Sequence, residues 1–425
     1  MSGKKFTILF VFLVLTGLFS VGVFNLFMDP RGYLWLYTLP GINEVKPNAG
    51  GDRREKSLAI TLRNYEMIVA GSSRVQVGID PGQPVLGSGP TYNFAMSGLN
   101  MYELQKNLVY LLDQQTPQHI LLGVDFLMFT DSRTVFGDFD QSLFAGKSSA
   151  DILIPYLFSA DTFNNSLNSL KINLRNNKFI FSDRHGHLDK TGLDVNHRQL
   201  FNTVVINNFM LNKETYAAFR YSTQRLDAIR KTIKLILDAN IKVDVFINPT
   251  HARQLEVIRA MGLWPVFKKW KRDMTQIVAE VNINNANKAT LWDFNYYNKI
   301  SMEAVKKKNM RWFWESSHYK NATGAVMVNR ILGKPSPIAG LGVFYQRFGA
   351  ILTPENINSH LRAHEAGRRT YVKNFPDDVK IIQELEIKTR ARRNVIKKRA
   401  AASRSNITGS TTGGASAGCT ELICT

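Results

Sequence analysis

Five short apolar runs, separated by segments of helical periodicity, restrict this chain's fold more than any other feature it carries. They occupy residues 65–70, 91–96, 119–126, 241–248 and 289–294. The third is almost wholly apolar, as a strand covered on both faces must be. Residues 101–115 place Leu104, Leu108, Leu111 and Leu112 on one helical face, and 222–239 do the same with Leu226, Ile229, Ile233, Ile236 and Leu237. Residues 263–281 and 321–332 read as two further helices. Strands alternating with helices predict an α/β fold, a five-stranded parallel doubly wound sheet over residues 59–335. Such sheets bind ligands at the carboxyl ends of their strands.

One interruption breaks the alternation. Residues 127–221 lie between the third and fourth strands, too long for a simple crossover. They are expected to form a cap insertion over the strand ends, the alternative being an insertion without substrate contact. Residues 336–387 are expected to form a C-terminal helical extension, and 388–425 a basic low-complexity tail. That tail carries eight Lys or Arg between Lys388 and Arg404 and no acid, followed by Ser, Thr, Gly and Ala; such composition reads as a disordered extension.

The N-terminus adds a second constraint. Residues 6–28 contain no charge and are rich in Phe, Leu and Val, with Lys4 and Lys5 before them and Asp29 after. About 20 apolar residues suffice for a helix to cross the hydrocarbon of a bilayer. The run is long for the core of a cleaved signal, and no Ala-x-Ala site follows it. The expectation is therefore a cytoplasmic stub (1–5), a transmembrane anchor in the lipid bilayer (6–28) and a linker (29–58). The flanking lysines place the body on the far side of the membrane. Cys419 and Cys424 are the only cysteines, which rules out a disulfide framework or a thiolate metal site in the body. The formal charge of +20 is concentrated partly in the tail; for an exported body, anionic lipid or glycan fits it better than nucleic acid, which is not expected as a partner.

The sharpest motif is Val69-Ala-Gly-Ser-Ser-Arg74. A buried strand running into a small-residue turn lifts a serine hydroxyl above the sheet edge, where following N–H groups can face a developing oxyanion. The same residues also make an ordinary turn or a helix cap. A serine needs a base, and the base needs orienting. Glu315-Ser-Ser-His318, just before the last helix of the alternation, offers both, or else a carboxylate that merely caps that helix.

Taken together, Gly71-Ser-Ser73 after the first strand and Glu315-x-x-His318 after the fifth resemble the SGNH (GDSL-like) hydrolase superfamily. Its serine sits in Gly-Asp-Ser, and an Asp-x-x-His supplies carboxylate and base. The resemblance spans roughly residues 60 to 335 and implies Ser73 as nucleophile, His318 as base and Glu315 as orienting carboxylate. It implies an oxyanion donor at Gly98, within Ser97-Gly-Leu-Asn100, and puts Asp125 where the family has an asparagine. An ionised carboxylate donates no hydrogen bond, so Asn100 is the expected substitute. Gly-Ser-Ser-Arg, the single anchor and Asn93-Phe-x-x-Ser-Gly98 are similar to the DltD-like and alginate O-acetylation branch. Those proteins work with membrane-bound O-acyltransferases on cell-envelope polysaccharide.

The resemblance thus implies a bacterial inner-membrane protein with a periplasmic body, acting as a serine esterase or O-acyltransferase through a Ser73 acyl-enzyme. Its chemistry calls for no cofactor and no metal. The competing expectation is a non-catalytic accessory protein of the same fold that binds glycan and partners a membrane-bound acyltransferase. Arg74 either meets an anionic substrate or forms a structural ion pair, and His251, at the end of the fourth strand, either lines the pocket or does not. His185-Gly-His187 reads as a polar loop more readily than as a metal site. Trp312-Phe-Trp314 either stacks on sugar rings or fills the core.

Overall fold

The computed structural model describes residues 3–47, 52–87, 89–175, 181–283 and 285–408; Cys419 and Cys424 lie outside them. Six strands form one mostly parallel mixed sheet: β1 (Met67–Ala70), β2 (Thr91–Asn93), β3 (His119–Val124), β4 (Lys242–Ile247), β5 (Thr290–Asp293) and β6 (Ala350–Ile351), ordered β2-β1-β3-β4-β5-β6. The first five are parallel, and β6 runs antiparallel to β5. The expectation of five strands therefore needs correcting by one. The sixth is only two residues long, too short for an apolar period to register.

The α-helices of six or more residues, in chain order, are α1 (Gly3–Met28), α2 (Asp52–Leu62), α3 (Ser73–Gly78), α4 (Met101–Gln114), α5 (Ser149–Phe158), α6 (Ala160–Leu174) and α7 (His197–Val204). They continue as α8 (Thr223–Asp238), α9 (Ala252–Ala260), α10 (Trp264–Ile283), α11 (Asn321–Ile331), α12 (Ile357–Asn374) and α13 (Pro376–Thr408). A π-helical stretch, Val205–Leu211, prolongs α7. The period of two along the strands divides the interior between the two faces of the sheet. Ile120, Leu122, Val243 and Val245 join one core with Leu104 of α4, Ile233 of α8 and Trp270 of α10. Val69, Leu121, Phe246 and Trp292 face the other, with Val75 of α3 and Val326 of α11. Each fully buried aliphatic side chain contributes about 1.5–3 kcal/mol relative to exposure.

On that second face α3 and α11 touch through backbone. A Cβ on Gly324 would lie 1.8 Å from the carbonyl oxygen of Gly78. Asn93, at the end of β2, donates from Nδ2 to the carbonyls of Val75 (3.0 Å) and Ile79 (2.8 Å). The helix that begins at Ser73 is thereby pinned both to the sheet and to the helix that follows His318.

Two expectations about the flanks are corrected. The described residues of the expected linker, 29–47 and 52–58, are not free of the body. The buried Asp29 carboxylate accepts the N–H groups of Tyr33 (3.0 Å) and Trp35 (2.8 Å), and α2 buries Arg53 against Glu103 at 2.7 Å. Composition concealed this, because charges that are paired inside look like charges left in water. The described part of the basic tail is also helical, as far as Thr408, while 409–425 lie outside the described residues. Glu386 takes Arg390 at 2.7 Å and Arg393 at 3.0 Å, and Arg393 donates to the Met210 carbonyl at 2.8 Å.

α1 is the one helix among the described residues long and apolar enough to cross a membrane.

Candidate active site

At the end of β1 the chain turns at Gly71, where an added Cβ would sit 2.9 Å from the Gly123 carbonyl of β3. Only glycine lets the two strand ends close in this way. Ser72 caps α3: its hydroxyl accepts the Arg74 N–H at 3.4 Å and donates to the Asp125 carboxylate. Ser73 is the first residue of α3 and half-exposed, so its own amide belongs to the first-turn donors that a helix leaves unpaired. β1 and β3 are the neighbours at which the strand order reverses, the place where open α/β sheets bind ligands.

His318 reaches this point from the other end of the sequence. Its Nε2 lies 2.8 Å from Ser73 Oγ, and its Nδ1 contacts Glu315 Oε1. The turn carrying both residues is closed by a bridge between Phe313 and Tyr319 and by Trp314 N–H to the His318 carbonyl at 2.9 Å. Glu315 is buried, and accepts the backbone N–H groups of Ser317 and His318, each at 2.8 Å. With Nδ1–H given to that carboxylate, the Nε2 lone pair points at the serine.

Burial alone would raise the Glu315 pKa, but the imidazole and the two backbone donors outweigh it and hold the carboxyl down to about 2. A depressed carboxyl stabilises the fold above its ordinary value of 4.5 and loses that contribution as pH falls from there towards about 2. The stability gap between wild type and Glu315→Gln, measured by urea denaturation, is therefore expected to be full at neutral pH and to close across that acid window. A gap independent of pH would contradict the assignment.

The remaining expected site residues divide. Asp125 and Arg74 border the same cleft, of about 310 Å³, with Ser73 and His318. They form a buried ion pair, and Arg74 Nε also donates to the Ser317 carbonyl at 3.0 Å. Burial opposes the Arg74 charge, yet Asp125 prevails and lifts its pKa. Asp125 thus stands as an acceptor that fixes Ser72 and Arg74.

Asn100 does not supply the missing donor. It caps α4 by accepting the Glu103 N–H at 3.0 Å, and it is held further by Arg225 at 2.7 Å and by the Thr134 carbonyl at 2.9 Å. Gly98 does not line the cleft either; the Phe136 ring lies against it. His251 is fully buried as the cap of α9, accepting the Arg253 N–H at 3.1 Å and donating to the Glu303 carbonyl at 2.6 Å. Burial lowers its pKa to about 4, so it is a neutral structural imidazole. Trp312, Phe313 and Trp314 are all buried. His187 lies beside Asp183 and Asp80, and its Nε2 is 3.1 Å from the Val77 carbonyl.

Sequence reasoning missed Arg133, Asn208 and Asn212, which come to the cleft from residues 127–221. Arg133 is half-buried and its guanidinium makes no hydrogen bond to a described residue; burial pushes its pKa down. Asn208 stands in the π-helical stretch, a distortion often found at functional sites. No local motif marks any of the three. Comparison with protein-family models, with curated proteins and with solved structures returns no match.

Proposed function

We propose that the chain is a membrane-anchored serine esterase or O-acyltransferase working through an acyl-enzyme at Ser73. The observation that carries this is the hydrogen-bonded series Glu315–His318–Ser73, assembled from residues 245 apart at its widest step. His318 Nε2 takes the Oγ proton as Oγ bonds to the acyl carbon, and then gives it to the departing alcohol. An acceptor hydroxyl, or water, next loses its proton to His318, attacks the acyl carbon and releases Ser73, which recovers that proton. The Ser73 amide, a first-turn donor of α3, serves the oxyanion, and the side-chain amide of Asn208, which lines the cleft, takes the role first sought in Asn100.

On this reading residues 127–221 act as a cap, since Leu127, Arg133, Asn208, Phe209, Asn212 and Thr215 form one wall of the cleft. The likeness of Gly71-Ser-Ser73 and Glu315-x-x-His318 to SGNH hydrolases supports a cell-envelope polysaccharide as acceptor. It equally supports a membrane-bound O-acyltransferase as partner and a periplasmic position for the body. A second reading, a glycan-binding accessory protein without turnover, is favoured by one observation: Asp125 is an acceptor where the resemblance calls for a donor. A serine-reactive fluorophosphonate separates the two. Labelling of the wild type and not of Ser73→Ala is expected; no labelling of either would favour the accessory protein.

A further inference from the structure

α1 does not hang free of the body at its C-terminal end. An added Cβ on Gly22 would lie 2.6 Å from the Phe158 ring, and Phe24 meets Phe163 with centroids 5.5 Å apart. Asn25 is fully buried between α5 and α6, donating to the Leu157 carbonyl at 2.8 Å and accepting from Ser166 Oγ at 2.9 Å. This clasp sets the depth of α5, provided that α1 spans the bilayer as proposed. At about 1.5 Å per residue the uncharged run 6–28 is about 34 Å long, against hydrocarbon of about 30 Å. A centred run then places Gly22 about 7 Å inside the apolar boundary, and Phe158 with it. Asn25, about 3 Å inside the boundary on the same arithmetic, meets the requirement that polar groups in the apolar layer find partners within the protein.

The surface beside this clasp is apolar. α5 reads Ser-Ala-Asp-Ile-Leu-Ile-Pro-Tyr-Leu-Phe and leaves Ile154 59% and Phe158 48% exposed. The loop after α1, tied to its last turn by Asn43 donating to the Phe27 carbonyl at 2.7 Å, exposes Leu36 and Tyr37. A neighbouring cleft of about 490 Å³ carries Arg31, Arg54 and Lys147 beside Asp151 and Asp161, with Arg31 paired to Asp161 at 3.1 Å; the cationic excess suits the level of lipid phosphates.

We infer that the end of α5 and the Leu36–Tyr37 loop are immersed in the bilayer that α1 crosses, so that lipid covers this face. The body is then held flush to the membrane by a surface as well as by a tether. The test uses the full chain with Cys419→Ser and Cys424→Ser, reconstituted in phosphatidylethanolamine–phosphatidylglycerol vesicles. Nitroxide labels are placed singly at Ile154→Cys, Phe158→Cys, Leu36→Cys, Leu15→Cys in mid-α1 and Lys234→Cys, which lies on the solvent-exposed side of α8. Collision with apolar oxygen is expected to exceed collision with a water-soluble nickel chelate at 154, 158 and 36, as at 15, with the order inverted at 234. Nickel access at 154, 158 and 36 with Leu15 in lipid overturns this inference alone; nickel access at Leu15 as well overturns the spanning reading with it. Exclusion of both reagents at 154 and 158 also overturns it, because a protein contact rather than lipid then covers the face. Leu36 reports the same layer if a label on α5 prevents folding.

Discussion

Ser73→Ala is expected to cut kcat for hydrolysis of an activated acyl ester by about 10⁶-fold while KM changes little, the pattern of a group that acts only in the transition state. His318→Ala should lose a similar factor, and the double variant no more than either single one, because the two residues act as a unit. Glu315→Gln should cost less, about 10⁴-fold, since the imidazole survives but its tautomer is no longer specified. The geometry explains this ranking. Nε2 is 2.8 Å from Ser73 Oγ, whereas Glu315 reaches the serine only through the imidazole, its backbone bonds being spent within its own turn. Steady-state kinetics of the purified variants gives all four values. Equal losses for Glu315→Gln and Ser73→Ala would show that the carboxylate does more than orient.

The second large effect is on stability. Asp125→Ala leaves the Arg74 guanidinium, with its side chain 7% exposed, without its carboxylate in a buried place. Breaking such a pair costs about 3–5 kcal/mol, mainly because the surviving charge is stranded. Denaturant melts should show that loss for Asp125→Ala and much less of it for Asp125→Ala combined with Arg74→Met, in which no charge remains to strand. Activity is expected to fall in both variants, because Asp125 also receives the Ser72 hydroxyl at the cap of the helix that carries Ser73. A double variant as unstable as the single one would refute the stranded-charge account.

Much of the sheet is legible in the sequence because buried parallel strands show as unbroken apolar runs. Residues 119–126 and 241–248 bracket β3 and β4, and the periodic leucines and isoleucines of 101–115 and 222–239 mark α4 and α8 to within a residue. What escaped is what periodicity cannot report. α2 buries Arg53 and Lys56, so its polar sequence resembles a linker, and β6 consists of two residues added from a distant extension.

The site divides in the same way. Ser73 and His318 could be found because each sits in a short motif beside a regular element. The sequence leaves His251 open and suggests Asn100 as a donor, because a cap and a ligand contact draw on the same polar residues; only their occupied partners show both to be caps. Arg133 and Asn208 reach the cleft by tertiary folding of an irregular insertion, which no spacing rule anticipates.

The proposed acyl-enzyme is a covalent ester on one serine. Mass spectrometry of the full-length protein quenched in acid during turnover of p-nitrophenyl acetate reads it directly. An acetyl adduct is expected on the peptide containing Ser73, retained longer when Glu315→Gln slows deacylation, and absent from Ser73→Ala. Turnover without any adduct on that peptide, or an adduct that persists in Ser73→Ala, would contradict it.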